Sequence, residues 1–208
     1  SNEERLRIAR ELHDIIGHSL GTIAVQAGVG RHLMETDPEK AAEALDNAPV
    51  LAGERLLAAL YANELLLRLS ARNDPAPALY ELYARLRGEL AGTASLSWTL
   101  RRFERDLLDA MGVGLPWDST AEGEACDPAG RYRLDPETGP APASQRLEDS
   151  ISGEALLALA ADRQPDANAL VELRRGLRRV LQSHLGSTPL RSWGLLDELS
   201  KVRPRDQG

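Results

Sequence analysis

The sequence of 208 residues has a single cysteine, Cys126, and no apolar run near the roughly 18 residues that a membrane-spanning helix needs. These two absences exclude a disulfide-built scaffold and a transmembrane protein. The first residues also lack the basic stretch and apolar core of a secretory leader. We therefore expect a protein of the reducing cytoplasm, without a membrane segment.

Strand-forming residues are scarce. Isoleucine and valine together supply 12 residues, whereas leucine and alanine supply 65. Because β-branched residues favour strands while leucine and alanine favour helices, the composition predicts a mostly α fold. The net charge of -7 argues only weakly against nucleic acid as a partner, since phosphates are bound by a local basic face.

Aromatic residues are absent from the first 60 positions, and all eight lie at Tyr61 or beyond it. Three of the four histidines, in contrast, lie before residue 33. This distribution indicates two segments of different character. Residues 116–150 differ again, because the window 118–162 holds ten acidic residues against three basic ones. We predict an irregular acidic insertion there, with one short strand and turn at Tyr132–Gly139.

Apolar residues recur at steps of three and four along most of the chain, which is the pattern of amphipathic helices. The first helix should run from Glu3 to about Glu35, and Pro38 should start a second, so that the two form an N-terminal helical hairpin fragment. Further helices are predicted at 53–69, 77–91, 96–111, 152–161, 166–185 and 189–200.

The first predicted helix carries a histidine next to an acid, His13 and Asp14, with His18 one turn after Asp14. A neutral imidazole nitrogen can attack a γ-phosphate when a neighbouring acid orients the proton on the other ring nitrogen. Asp14 and His18 share a helix face and can together position a water molecule. These three side chains are the candidate catalytic residues.

The stretch from Arg5 to Leu20 resembles the phosphoacceptor box of NarL-type sensor histidine kinases, and the resemblance extends to about Asn47. It implies that His13 is the phosphorylated residue, and that Asp14 and His18 form the motif tied to phosphatase activity. The ATP-binding boxes of that family have no counterpart in this sequence. A kinase ATP-binding domain would therefore act in trans, with a response regulator as a further partner. The apolar stripe of the hairpin predicts a homodimer or packing on the rest of the chain.

Six blocks of residues 48–208 follow one another in the order of a known domain: Leu56–Leu69, Leu100–Glu104, Leu107–Leu108, Tyr132–Gly139, Ser152–Leu159 and His184–Ser192. They give this part of the chain a resemblance to the C-terminal helical domain of the RecO family of recombination mediators. It implies strand annealing and recombinase loading without a cofactor, with single-stranded DNA, RecR and single-stranded-DNA-binding protein as partners. The N-terminal OB-fold of the family has no counterpart in this sequence. Many members hold four zinc-binding cysteines, and with Cys126 alone we predict no metal site.

Basic residues are concentrated near the end of the sequence, with eight bases against three acids in residues 170–205. Four arginines on one predicted helix face, and a fifth shortly after the helix, are the candidate DNA-binding residues: Arg174, Arg175, Arg178, Arg179 and Arg191. The alternative is a solvated face whose bases pair with the acidic insertion. Trp193 would either stack on a base or pack in the core.

Two further patterns are predicted to be structural. The block 101–104 would be a helix-packing and salt-bridge element, and Tyr132 with Arg133 would hold the acidic insertion against the helices. The sequence thus predicts a histidine-kinase phosphoacceptor fragment at 1–47, joined to a RecO-like helical domain at 48–208.

Three functions stay open for this arrangement. The first is a RecO-like mediator of DNA repair and recombination that lacks its OB-fold. The second is a sensor histidine kinase fragment phosphorylated at His13 in trans. The third is an engineered or artefactual fusion with neither activity. Whether the chain is an enzyme is open as well, because the sequence holds no complete active site.

Overall fold

The computed structural model describes residues 51, 53–69, 77–143, 150–188, 190 and 192–193. In these ranges the chain forms five helices and a three-stranded sheet. The helices are α1 (Gly53–Leu69), α2 (Pro77–Ala91), α3 (Leu96–Ala110), α4 (Gly153–Ala160) and α5 (Ala167–Leu185). The strands are β1 (Arg131–Asp135), β2 (Gly139–Pro142) and β3 (Ile151–Ser152).

The predicted mostly α fold is confirmed, and the bounds of these five helices agree with their predicted bounds to within one residue. Several predictions concern other parts of the chain. The N-terminal hairpin, the catalytic candidates His13, Asp14 and His18, and the basic residue Arg191 all lie outside the described residues.

Capping side chains set the start of the last two helices. Ser152 Oγ accepts the Ala155 N–H at 3.3 Å, and Asp166 Oδ1 accepts the Ala169 N–H at 2.8 Å. Each bond satisfies a donor that the first turn of a helix leaves open. Helix α5 is capped at its C-terminal end by Gly186, whose φ of 75° is a conformation that glycine adopts without strain.

Helix α5 lies at the centre of the fold and contacts α1, α3, α4, β1 and β3. At Gly176 the sheet comes so close that a Cβ would overlap the Ile151 side chain and lie 3.1 Å from Leu134 Cδ1. The glycine therefore lets helix and sheet touch. The inward side of α5 is lined by buried aliphatic residues: Leu170, Leu173, Leu177, Val180 and Leu181.

The sheet has the order β2-β1-β3, with antiparallel pairing throughout. In the turn between β1 and β2, the Asp135 carboxylate accepts the N–H groups of Glu137 and Thr138, each at 2.9 Å. These bonds hold the pKa of Asp135 below its ordinary value. The predicted strand and turn are thus confirmed. The structure adds two strands that the sequence did not predict, β2 within the insertion and β3 directly after it, because four-residue and two-residue strands are too short to show a period.

The part of the insertion before β1 is ordered by backbone bonds and by packing. Between Trp117 and Cys126, both buried, the chain folds back on itself, and the Cys126 N–H donates to the Asp118 carbonyl at 2.7 Å. Tyr132 holds this segment as predicted, because its hydroxyl accepts the Asp127 N–H at 2.7 Å.

The holding role predicted for Arg133 belongs to Arg131 instead. Arg133 is exposed. Arg131 donates to the Ser150 carbonyl at 2.6 Å and pairs with Glu172 on α5 at 2.7 Å. This arginine, one residue before Tyr132, therefore ties β1 to the chain that enters β3 and to the central helix.

A buried polar group joins α1 to α3. Arg101 and Glu104 are 5% and 1% exposed, and Arg101 Nε donates to Glu104 Oε2 at 2.7 Å. The second oxygen, Glu104 Oε1, accepts a further guanidinium N–H and the Tyr61 hydroxyl, the latter at 2.7 Å. At the surface, Arg102 pairs with Asp162 beyond the end of α4. The predicted helix-packing and salt-bridge element at 101–104 is confirmed.

Candidate nucleic-acid interface

The arginines of α5 lie around the part of the helix that its buried leucines leave uncovered, with Arg178 against the buried Trp193. Arg174 and Arg175 are exposed, whereas Arg178 and Arg179 are half-buried. The exposed pair is followed one turn later by the half-buried pair, so the four guanidinium groups occupy about two turns of one helix. The structure places all four in one region, while the fifth candidate, Arg191, lies outside the described residues.

Helix α5, which carries these side chains, is firmly held in the fold. Besides its packing on three helices and two strands, α5 is fixed at its C-terminal end by Arg68 of α1, which donates to the Leu185 carbonyl at 3.0 Å. Gln182 Nε2 donates to the Gly186 carbonyl at 2.6 Å. Because a rigid helix positions side chains better than a loop does, the arrangement suits a binding surface.

Glu172 is the only acidic residue between Ala167 and Leu185, and it is turned toward the sheet. Its carboxylate accepts Arg131 Nη1 at 2.7 Å and the Ser152 N–H at 2.9 Å. Partial burial would raise the pKa of Glu172, but these bonds outweigh it and lower the pKa below the ordinary value. The one negative charge of α5 is therefore engaged at β1 and β3.

Trp193 packs in the core, which was one of the two alternatives that the sequence left open. It is 6% exposed, and the Arg178 guanidinium lies over its ring, 4.5 Å from the ring centroid. The preceding residue, Ser192, donates its N–H and its hydroxyl to Glu64 on α1, at 2.9 and 2.6 Å. A tryptophan enclosed in this way cannot stack on a base without leaving its site.

The surface offers positive charge and planar N–H donors, which match the oxygens of a phosphate group. Such contacts position a nucleic-acid backbone but carry no sequence information. No group of three or more His, Cys, Asp or Glu side chains that could hold a metal ion occurs among the described residues. Within the same ranges, no helix is long and apolar enough to cross a bilayer.

Sequence reasoning missed the residues that set the orientation of this surface. Arg131 and Glu64 come from distant parts of the chain, and the contact of Arg178 with Trp193 joins residues 15 positions apart. Helical spacing places side chains around one helix only, so it could not show these contacts. The capping Asp166, in contrast, stands at the predicted start of α5 and could have been found.

Comparison with known proteins fits the helical fold with its small inserted sheet. The family described as "Recombination protein O C terminal" matches residues 51–194. A protein named "DNA repair protein RecO" from Stenotrophomonas maltophilia (strain R551-3) is 49% identical over 172 residues, covering 79% of this chain and 70% of the relative. Its namesake from Xanthomonas euvesicatoria pv. vesicatoria (strain 85-10) is 48% identical over 167 residues, with 78% and 70% covered. The chain belongs to the RecO family.

A second family, described as "Histidine kinase", matches residues 4–59. The matched range includes His13, Asp14 and His18, and it overlaps the RecO match at residues 51–59. That overlap falls mostly on the first two turns of α1. The chain is thus similar to histidine kinases in its first part and to RecO proteins over most of its length.

Proposed function

We propose that the chain is a DNA-repair protein of the RecO type, acting in the cytoplasm, whose helix α5 binds the phosphate backbone of single-stranded DNA. The observation that carries the proposal is the pair of exposed arginines, Arg174 and Arg175, on a helix that is fixed on its other sides. The names of the relatives support a role in DNA repair.

Binding of this kind depends on charge and geometry alone. Each guanidinium can donate two parallel N–H bonds to one phosphate and release the counterions that the phosphate had condensed. The DNA is held without base reading, which suits a protein that must act on strands of any sequence. By resemblance to the family, we extend the proposal to two protein partners, RecR and single-stranded-DNA-binding protein.

The proposal also concerns domain organisation. We assign residues 48–208 to the RecO-like helical domain and residues 1–47 to a phosphoacceptor fragment. The support is the change in composition near the junction, together with two family matches that overlap by nine residues only, 51–59.

The DNA-binding function can be tested by fluorescence anisotropy of a labelled oligothymidylate at 0.1 M salt. Removing both exposed arginines, in Arg174→Gln/Arg175→Gln, should weaken binding by roughly 25-fold, since each lost phosphate contact costs about fivefold at this salt concentration. A control with the same loss of charge is Arg85→Gln/Arg163→Gln, which changes exposed arginines on α2 and before α5. Equal affinity of the two double variants would overturn the proposal and favour a merely solvated face.

A second candidate function is favoured by the histidine-kinase match at residues 4–59. In this function His13 takes the γ-phosphoryl group of ATP from a kinase ATP-binding domain supplied in trans, with ADP as the other product. A response regulator then receives the phosphoryl group. Asp14 and His18 would act in hydrolysis of the phosphorylated regulator.

This second function predicts acid-labile radioactive phosphate on the chain after incubation with labelled ATP and a kinase catalytic domain. His13→Gln should remove the label, while His32→Gln should retain it. Equal labelling of the His13→Gln variant would exclude the assignment. A folded chain that neither binds the oligonucleotide nor takes up phosphate would support the third alternative, a fusion with neither activity.

A further inference from the structure

Arg178 differs from the other arginines of α5 in having an aromatic support. Its guanidinium lies over the face of Trp193, 4.5 Å from the ring centroid, and the side chain is half-buried. A guanidinium over an indole face is attracted by the negative charge density of the ring. Since the donors of arginine lie in the plane of the guanidinium, a stacked arginine can still donate to a phosphate.

The indole ring is itself enclosed by the core. Trp193 lies in the same buried cluster as Tyr61, whose hydroxyl donates to Glu104 in the buried polar group between α1 and α3. The residue before it, Ser192, is bonded twice to Glu64. The tryptophan is therefore held at α1 by core packing and by the bonds of the residue before it.

We infer that Trp193 is a positioning residue for the DNA-binding surface: it holds Arg178 in the orientation that binds phosphate. This inference rests on the proposed function of α5. Trp193 is too enclosed to touch the nucleic acid and acts through Arg178. Arginine has many rotamers, and stacking removes part of that freedom during folding, before any ligand arrives. Ordering that is complete before binding does not weaken the affinity.

The chemistry of the support predicts which replacements work. Phenylalanine keeps an aromatic face and should hold Arg178 in part, whereas leucine fills space without an aromatic face. Lysine at position 178 keeps the charge but lacks the planar fork that stacks and donates at the same time. A phenylalanine and a leucine at position 193 therefore distinguish a tryptophan that supports Arg178 through its aromatic face from one that only fills the core.

A double-variant cycle on the full chain tests the inference, with the affinity for a labelled oligothymidylate at 0.1 M salt as the measurement. Trp193→Leu should weaken binding by about threefold, and Trp193→Phe by less. In an Arg178→Gln background, which by itself loses about fivefold, Trp193→Leu should cause no further loss. Arg174→Gln, whose arginine is exposed rather than half-buried against Trp193, is the matched control background, and there the threefold effect of Trp193→Leu should persist.

The outcomes separate this inference from the proposed function. If Trp193→Leu weakens binding equally with and without Arg178, the tryptophan is structural only and the inference is wrong. If neither Arg174→Gln nor Arg178→Gln changes the affinity, the proposed function itself fails. Near-ultraviolet circular dichroism establishes that each variant is folded. Should Trp193→Leu unfold, Trp193→Phe combined with Arg178→Lys replaces it, and non-additive losses are again expected.

Discussion

Replacing Glu104 by glutamine should destabilise the fold more than any other change of a single functional group in the buried polar group of α1 and α3. The glutamate carboxylate accepts two bonds from Arg101 and one from Tyr61, with both ionic partners almost fully buried. Glutamine offers one acceptor oxygen in place of two and turns N–H donors toward a buried guanidinium. Breaking a buried ion pair by removing one partner costs about 3–5 kcal/mol.

Variants of Tyr61 and Arg101, the other two members of the buried polar group, give losses of stability with which the loss for Glu104→Gln can be compared. Tyr61→Phe removes one hydrogen bond to a charged group and should cost about 1.5–3 kcal/mol. In a Tyr61→Phe background, Arg101→Met/Glu104→Leu should lower the free energy of unfolding less than Glu104→Leu does in that same background, since the double change leaves no unpaired charge in the core. Urea unfolding followed by circular dichroism gives the free energies of unfolding. A loss below about 1 kcal/mol for Glu104→Gln would refute the reasoning, because it would place the pair in contact with water.

Three further predictions follow from single contacts. The pKa of Glu172 is lowered in the folded chain, so its bonds to Arg131 and Ser152 stabilise the fold above pH 4.5, the ordinary pKa of glutamate. This contribution is lost as the pH falls through the lower pKa of the folded state. Glu172→Gln should therefore flatten the acid limb of a plot of the free energy of unfolding against pH, and an unchanged limb would contradict this. Burial raises the pKa of the Cys126 thiol, so Ellman's reagent should modify it slowly in the native chain and rapidly in urea; rapid native labelling would show an open insertion. Asp166→Ala should cost about 1 kcal/mol by removing the cap of α5, as measured by urea unfolding, whereas Asp166→Asn, which keeps a capping oxygen, should be nearly neutral; equal losses for the two variants would contradict the capping role.

The helices could be predicted well because their signals are local. Asp166 before α5 and the leucine spacing within it define the start and the inward side of that helix from a few neighbouring residues. The sheet was predicted only in part. Tyr132 and Leu134 alternate with exposed neighbours in β1, but Ile151 and Ser152 form a strand only because β1 lies beside them.

The sequence predicts which arginines lie together in the candidate site, but it does not predict the contacts that hold them in place. Arg174 and Arg175 follow from helical spacing, and the structure adds that they are the exposed members of the set. That Glu172 is engaged at the sheet, and that Arg178 rests on Trp193, depends on contacts between distant segments. Such contacts arise from the packing of the whole domain, which periodicity within one helix does not encode.

The central claim, that α5 binds the backbone of single-stranded DNA, is tested most directly by the salt dependence of binding. The logarithm of the association constant should fall linearly with the logarithm of salt concentration, and Arg174→Gln/Arg175→Gln should reduce the steepness by about 1.4, or about 0.7 for each lost contact with a single strand. The Arg85→Gln/Arg163→Gln control should keep the original slope. Parallel lines for the parent chain and the Arg174→Gln/Arg175→Gln variant would contradict the account, because they would show that neither exposed arginine meets a phosphate.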